Sequence, residues 1–78
     1  MQAERFLTLT DVGEILNITP AQTYALVRRR ELRALKIGGR GQWRVERTEL
    51  EAYIQRMYDE TARSLQRERV DQDDPALD

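Results

Sequence analysis

The residues with the most chemical reach in this chain are arginines, and they are crowded together. From Arg28 to Arg47, eight cations (Arg28, Arg29, Arg30, Arg33, Lys36, Arg40, Arg44 and Arg47) stand against two anions, Glu31 and Glu46, a local balance of +6. From Thr48 to Asp78, four arginines face nine carboxylates, a balance of −5. The net charge of −1 conceals this polarity. Guanidinium groups at such density suit phosphate oxygens, because each planar fork donates parallel hydrogen bonds and keeps its charge. A phosphate-binding module with an acidic tail would show this asymmetry; the competing reading is a solvated surface that uses arginine generically.

Other chemistries lack their usual groups. The chain has no Cys and no His, so it has no disulfide framework, thiolate site or imidazole base. Carboxylates such as Glu49, Asp59 and Glu60 fall at helix-surface spacing and read as solvated charges. We expect no enzyme, no metal, no cofactor and no small-molecule ligand. The Gly38-Gly39-Arg40-Gly41-Gln42 run could cradle a phosphate, but no Lys-Ser/Thr pair follows it, and the residues after it have strand character. That sets a nucleotide-binding loop aside.

Seventy-eight residues allow one domain, and a domain of this size buries only about 60% of its unfolded surface, too little for a large enclosed pocket. No stretch is apolar enough to span a bilayer, and Met1-Gln2-Ala3-Glu4-Arg5 lacks the apolar core of a signal peptide. A cytoplasmic protein is the expectation.

The elements that must hold the arginines can be read from caps and periodicity. A first helix starts at Thr8, with Asp11 as the partner in an acidic capping box, and Val12, Ile15 and Leu16 as its inward stripe. Gly13 in its middle points to a close helix contact, and Asn17 is a left-handed stop. Thr19, Pro20 and Gln22 then cap a second helix almost at once, with Ile18 beneath the turn, which forces a steep crossing. On this helix Thr23, Leu26 and Val27 face inward. Ala21, Ala25, Arg28 and Arg29 face outward, flanked by Gln22 and Tyr24.

After Glu31 the pattern alternates as in a strand, with Leu32, Ala34 and Lys36 on one side and Arg33, Leu35 and Ile37 on the other. The glycine-rich run reverses the chain and Trp43-Arg44-Val45 returns, so that Arg40, Gln42 and Arg44 lie near the tip of a hairpin. From Thr48 a last helix sets Leu50, Ile54, Met57, Tyr58 and Leu65 on or near one face, with Tyr53 packed on the hairpin. The predicted fold is mainly α with a small β-hairpin. It is a winged helix-turn-helix of three helices plus wing over residues 6–66, followed by a disordered acidic tail over 67–78.

The segments Leu7 to Leu16, Ile18 to Arg29, Glu31-Leu32, Lys36-Ile37-Gly38, and Trp43-Arg44-Val45 through Leu50 to Ile54 resemble the excisionase family of DNA-binding domains, small relatives of the MerR-type winged helix-turn-helix. The likeness covers about Phe6 to Tyr58. It implies double-stranded DNA as partner, with the second helix in the major groove and the wing on the flanking backbone or minor groove. Carried over by position, Pro20, Ala21, Gln22, Tyr24, Arg28 and Arg29 become recognition-helix residues, and Arg40, Gln42 and Arg44 become wing residues. Trp43 matches an aromatic wing position, read as packing the hairpin onto the core in preference to touching a base.

One departure stands out: relatives usually carry Gly after the recognition helix where this chain has Arg30, which must adopt a left-handed conformation or prolong the helix. Gln22 suits an adenine edge, Arg28 a guanine or a phosphate, and the Ala21 and Ala25 methyls a thymine methyl. Sparse base contacts leave groove shape to supply discrimination. A small transcriptional regulator or architectural factor and a recombination directionality factor would use the same contacts. A protein-interaction module without DNA is the alternative from another class. Self-association on DNA would run through the last helix or the acidic tail, although that helix is equally well read as closing the core.

Overall fold

The computed structural model describes residues 4–71, which form β1 (Phe6–Leu7), α1 (Leu9–Leu16), α2 (Pro20–Arg28), β2 (Leu35–Ile37), β3 (Gln42–Glu46) and α3 (Arg47–Asp71). Both helix starts are capped as their residues dictate. Thr8 Oγ1 accepts from the Asp11 amide at 2.9 Å while Asp11 accepts from the Thr8 amide at 3.1 Å. Thr19 and Gln22 repeat the arrangement at α2, with Pro20 at its first position. Asn17 ends α1 in the left-handed region at φ 61, ψ 47.

Three residues, Asn17 to Thr19, separate α1 from α2. So short a turn requires the helix backbones to approach closely, and Gly13 permits it. A Cβ placed there would lie 3.0 Å from Thr23 Oγ1 and 3.1 Å from the Ile18 carbonyl oxygen. Thr23 is fully buried and its hydroxyl donates to the Thr19 carbonyl at 3.0 Å, so no polar atom is stranded at the contact. The approach also sets the roll of α1. Val12 and Gly13 are buried and Leu9 and Leu16 pack against the core, whereas Ile15, expected to face inward, is 50% exposed. The buried stripe is Leu9-Val12-Gly13-Leu16, and Ile15 lies on the far side of the helix from Gly13.

Beyond α2 the chain turns through a Schellman motif. The Glu31 amide donates to the Leu26 carbonyl at 2.9 Å and the Arg30 amide to the Val27 carbonyl at 3.0 Å. Arg30 therefore takes the left-handed position at φ 63 and does not prolong the helix. The expected strand from Leu32 is correspondingly shortened. Leu32 is 1% exposed within the connection, and β2 begins only at Leu35.

The sheet has order β1-β3-β2, both pairings antiparallel, so the hairpin gains a third strand that sequence patterning did not reveal. Leu7 pairs with Val45 and both are buried. The Arg47 amide donates to the Arg5 carbonyl at 2.7 Å, which ties the amino-terminal strand to the start of α3. Leu7, Val12, Leu26, Val27, Leu32, Val45, Leu50 and Tyr53 make the core, with Ile54 and Met57 against its edge.

Tyr58 and Leu65, expected on the same face of α3, are instead 70% and 45% exposed, because the core ends below them. The helix nevertheless runs on to Asp71, so residues 67–71 are helical where a disordered tail was expected. The rest of that tail, 72–78, falls outside the described residues. No helix is long and apolar enough to cross a membrane among the described residues.

Two substitutions test these constraints by urea unfolding. Gly13→Ala should lower stability by about 1–3 kcal/mol despite the better helix propensity of alanine, because the methyl meets Thr23 and a backbone carbonyl. An unchanged or raised midpoint would refute the contact. Arg30→Gly should raise stability by roughly 0.5–1 kcal/mol by relieving the left-handed strain of a side chain with a Cβ.

Candidate nucleic-acid interface

The outward face of α2 is built by subtraction. With Thr23, Leu26 and Val27 buried, the helical period places Ala21, Ala25 and Arg28 at the centre of the opposite face, Tyr24 on one flank, and Gln22 and Arg29 on the other. Pro20 is exposed at the amino-terminal end, and Arg28 is exposed in the last turn. Arg29 is the cap residue past the helix and forms an exposed ion pair with Glu31 at 3.3 Å.

The helix and the hairpin meet through aromatic rings. Tyr24 and Trp43 lie edge to face with centroids 6.3 Å apart. Arg28 stands over the Tyr24 ring at 5.8 Å, and Lys36 over the Trp43 ring at 5.0 Å. Strand register decides what else belongs to this surface. Lys36 pairs across from Trp43, so both side chains leave the sheet on the side facing α2. Leu35 pairs with Arg44 and Ile37 with Gln42, which puts these four on the outer side.

Of the three expected wing residues, only Arg40 sits in the turn at the tip, where the Gly41 amide donates to the Gly38 carbonyl at 3.1 Å. Gln42 and Arg44 are not brought together with α2. Arg44 is half-buried and donates to the Trp43 carbonyl at 2.7 Å and to Gln42 Oε1 at 3.3 Å. Lys36, opposite Trp43, is the hairpin cation on the side facing α2. Strand alternation had put it on the Leu32 and Ala34 side, the signal that could have found it.

Gln22 is held by its own cap. Its Oε1 accepts from the Thr19 amide at 2.9 Å and from the Thr19 hydroxyl at 3.2 Å. Two-point recognition of adenine requires that oxygen as well as the amide nitrogen. Only the nitrogen is left to donate outward, to a purine N7, a base carbonyl or a phosphate.

A groove of about 850 Å³ lies between the end of α2, the hairpin and α3, lined by Val27, Leu32, Trp43 and Met57 among others. Of its three cations, Arg30, Arg33 and Arg56, the last two are engaged. Arg33 is bound to Glu49 at 3.2 Å, and Arg56 donates to the Glu31 carbonyl at 2.8 Å. Arg28, Lys36 and Arg40, like Arg30 in the groove, have no ion-pair partner among the described residues. A band of unengaged cations around small and aromatic side chains is suited to a polyanion, whereas the groove sets three carboxylates, Glu31, Glu49 and Glu60, beside its three arginines.

Comparison with known proteins agrees with the geometry. Residues 6–58 match a family described as "Helix-turn-helix domain", which spans both capped helices, the hairpin and the part of α3 that closes the core. No curated protein and no solved structure was found to match the chain. With most of its length inside the match and the two helices crossing at Gly13 as that motif requires, the chain belongs to this helix-turn-helix domain family.

Proposed function

We propose that this protein binds double-stranded DNA, with α2 in the major groove and the wing on the flanking backbone or minor groove, as a small transcriptional regulator or architectural factor. The observation that carries the reading is the continuous surface from Arg28 through Tyr24 and Trp43 to Lys36, with Arg40 at the wing tip. Arg28, Lys36 and Arg40 bind phosphates, which gives affinity without sequence information. The alanine face of α2 comes close to base edges but offers few polar groups to read them, so groove shape supplies much of the discrimination. A single module of this kind covers roughly 600–1,000 Å² of DNA-facing surface, which favours several copies side by side. The part of α3 beyond Met57, with Tyr58 and Leu65 exposed, is available for contact between such copies.

Fluorescence anisotropy with labelled duplexes at several salt concentrations tests the reading. The logarithm of affinity should fall with the logarithm of salt with a slope of roughly −3 if three cations each displace counterions. No anisotropy change with any duplex at low salt rejects DNA binding, a slope near zero rejects the phosphate contacts, and equal affinity for A-tract and scrambled duplexes rejects the shape component. Gln22→Glu separates capping from recognition at one position. Glutamate keeps the acceptor that caps α2, so the urea midpoint should hold, while the lost donor and added negative charge should weaken duplex affinity about tenfold or more. Retained affinity would remove Gln22 from the interface.

A further inference from the structure

Lys36 occupies a designed place. Its ammonium stands 5.0 Å over the Trp43 indole, and its stem runs along the wing against Gly41. A Cβ at Gly41 would lie 3.3 Å from Lys36 Cδ, and Gly41 also has a positive φ of 66°. The absent side chain at Gly41 and the ring of Trp43 together give the lysine stem a track on the α2 side of the hairpin. On the other side of the ring pair, the Arg28 guanidinium is held over Tyr24. Two cations, one on the recognition helix and one on the wing, are thus carried on the two halves of a single edge-to-face aromatic contact.

Building on the proposed DNA binding, we propose that Lys36 is a DNA-backbone contact, and that Tyr24 and Trp43 are positioning residues which set Lys36 and Arg28 on the same backbone strand at the lip of the groove. The physical case is one of preorganisation. A lysine on a free four-carbon stem gives up rotamer freedom when it takes a phosphate, and a stem already confined between an indole and a glycine gives up less. The pair also resists relative movement of wing and helix, because sliding either one breaks the ring contact and displaces both cations. Arg44, one of the wing cations that the resemblance nominated beside Arg40, lies on the outer side of the hairpin and is tied to the Trp43 carbonyl.

The test is the salt dependence of binding to a mixed-sequence duplex by the full chain, with circular dichroism to establish that each variant is folded. Lys36→Gln should lower the magnitude of the log–log slope by about one unit and Lys36→Arg should restore it. Tyr24→Ala removes no charge and, at a position already 41% exposed, leaves the core intact. It should nevertheless weaken binding several-fold and reduce the slope, whereas Tyr24→Phe, which keeps the ring, should match the wild type. A merely structural role for these residues would change the melting temperature and leave the slope where it was. An unchanged slope in Lys36→Gln, or unchanged affinity and slope in folded Tyr24→Ala, overturns the proposal. If the wild type itself binds no duplex at low salt, it is the DNA reading that fails.

Discussion

The close contact between α1 and α2 is the constraint on which the remaining geometry rests. Gly13 lets the two helices approach until the position of a missing methyl is 3.0 Å from Thr23 Oγ1, and Thr23 satisfies its buried hydroxyl within its own helix. That approach sets the roll of both helices. It turns Val12 inward and Ile15 outward on α1, and on α2 it buries Thr23, Leu26 and Val27. Because α2 has a fixed inner face, its outer face is fixed as well, and Ala21, Ala25 and Arg28 must lie on it.

Burial on the hairpin works in the same way. Val45 is fully buried and pairs with Leu7. Since successive residues of a strand alternate sides, Trp43 must share the inner side, and its cross-strand partner Lys36 with it. Arg44 and Gln42 are carried to the outer side by the same alternation. A cluster of eight cations in the sequence therefore does not become eight binding groups. Arg29 and Arg33 neutralise Glu31 and Glu49, and Arg44 satisfies a carbonyl. On the surface shared by α2 and the wing, what remains for a partner is a smaller set: Arg28 and Lys36, held over aromatic rings, and Arg40 at the exposed wing tip.

Arg30 shows how the chain accommodates a local conflict. The end of α2 demands a left-handed residue for the bonds from Arg30 to Val27 and from Glu31 to Leu26, and those bonds turn the chain so that Leu32 enters the core. The fold accepts an arginine there, a strain of order 1–2 kcal/mol. Its side chain lines the groove beside α3, where Glu49 and Glu60 also stand.

The sequence by itself determined the features whose physics is local. Thr8, Asp11, Thr19, Pro20 and Gln22 announced both helix starts because capping bonds join residues three apart. Asn17 announced a left-handed stop and Gly13 a close contact, each because a single residue type is suited to the conformation or the space. The order of elements and the basic character of the middle stretch followed from patterning alone. Tertiary structure decided what depends on residues distant in the chain. Two residues are too few to show a period, so β1 exists only because β3 lies beside Phe6 and Leu7. The far end of α3 keeps its helical form past the point where the core stops, so periodicity could not tell that Tyr58 and Leu65 would be left uncovered. That Lys36 faces α2 while Arg44 does not rests on strand pairing and on the Tyr24–Trp43 contact, neither of which exists until the chain has folded.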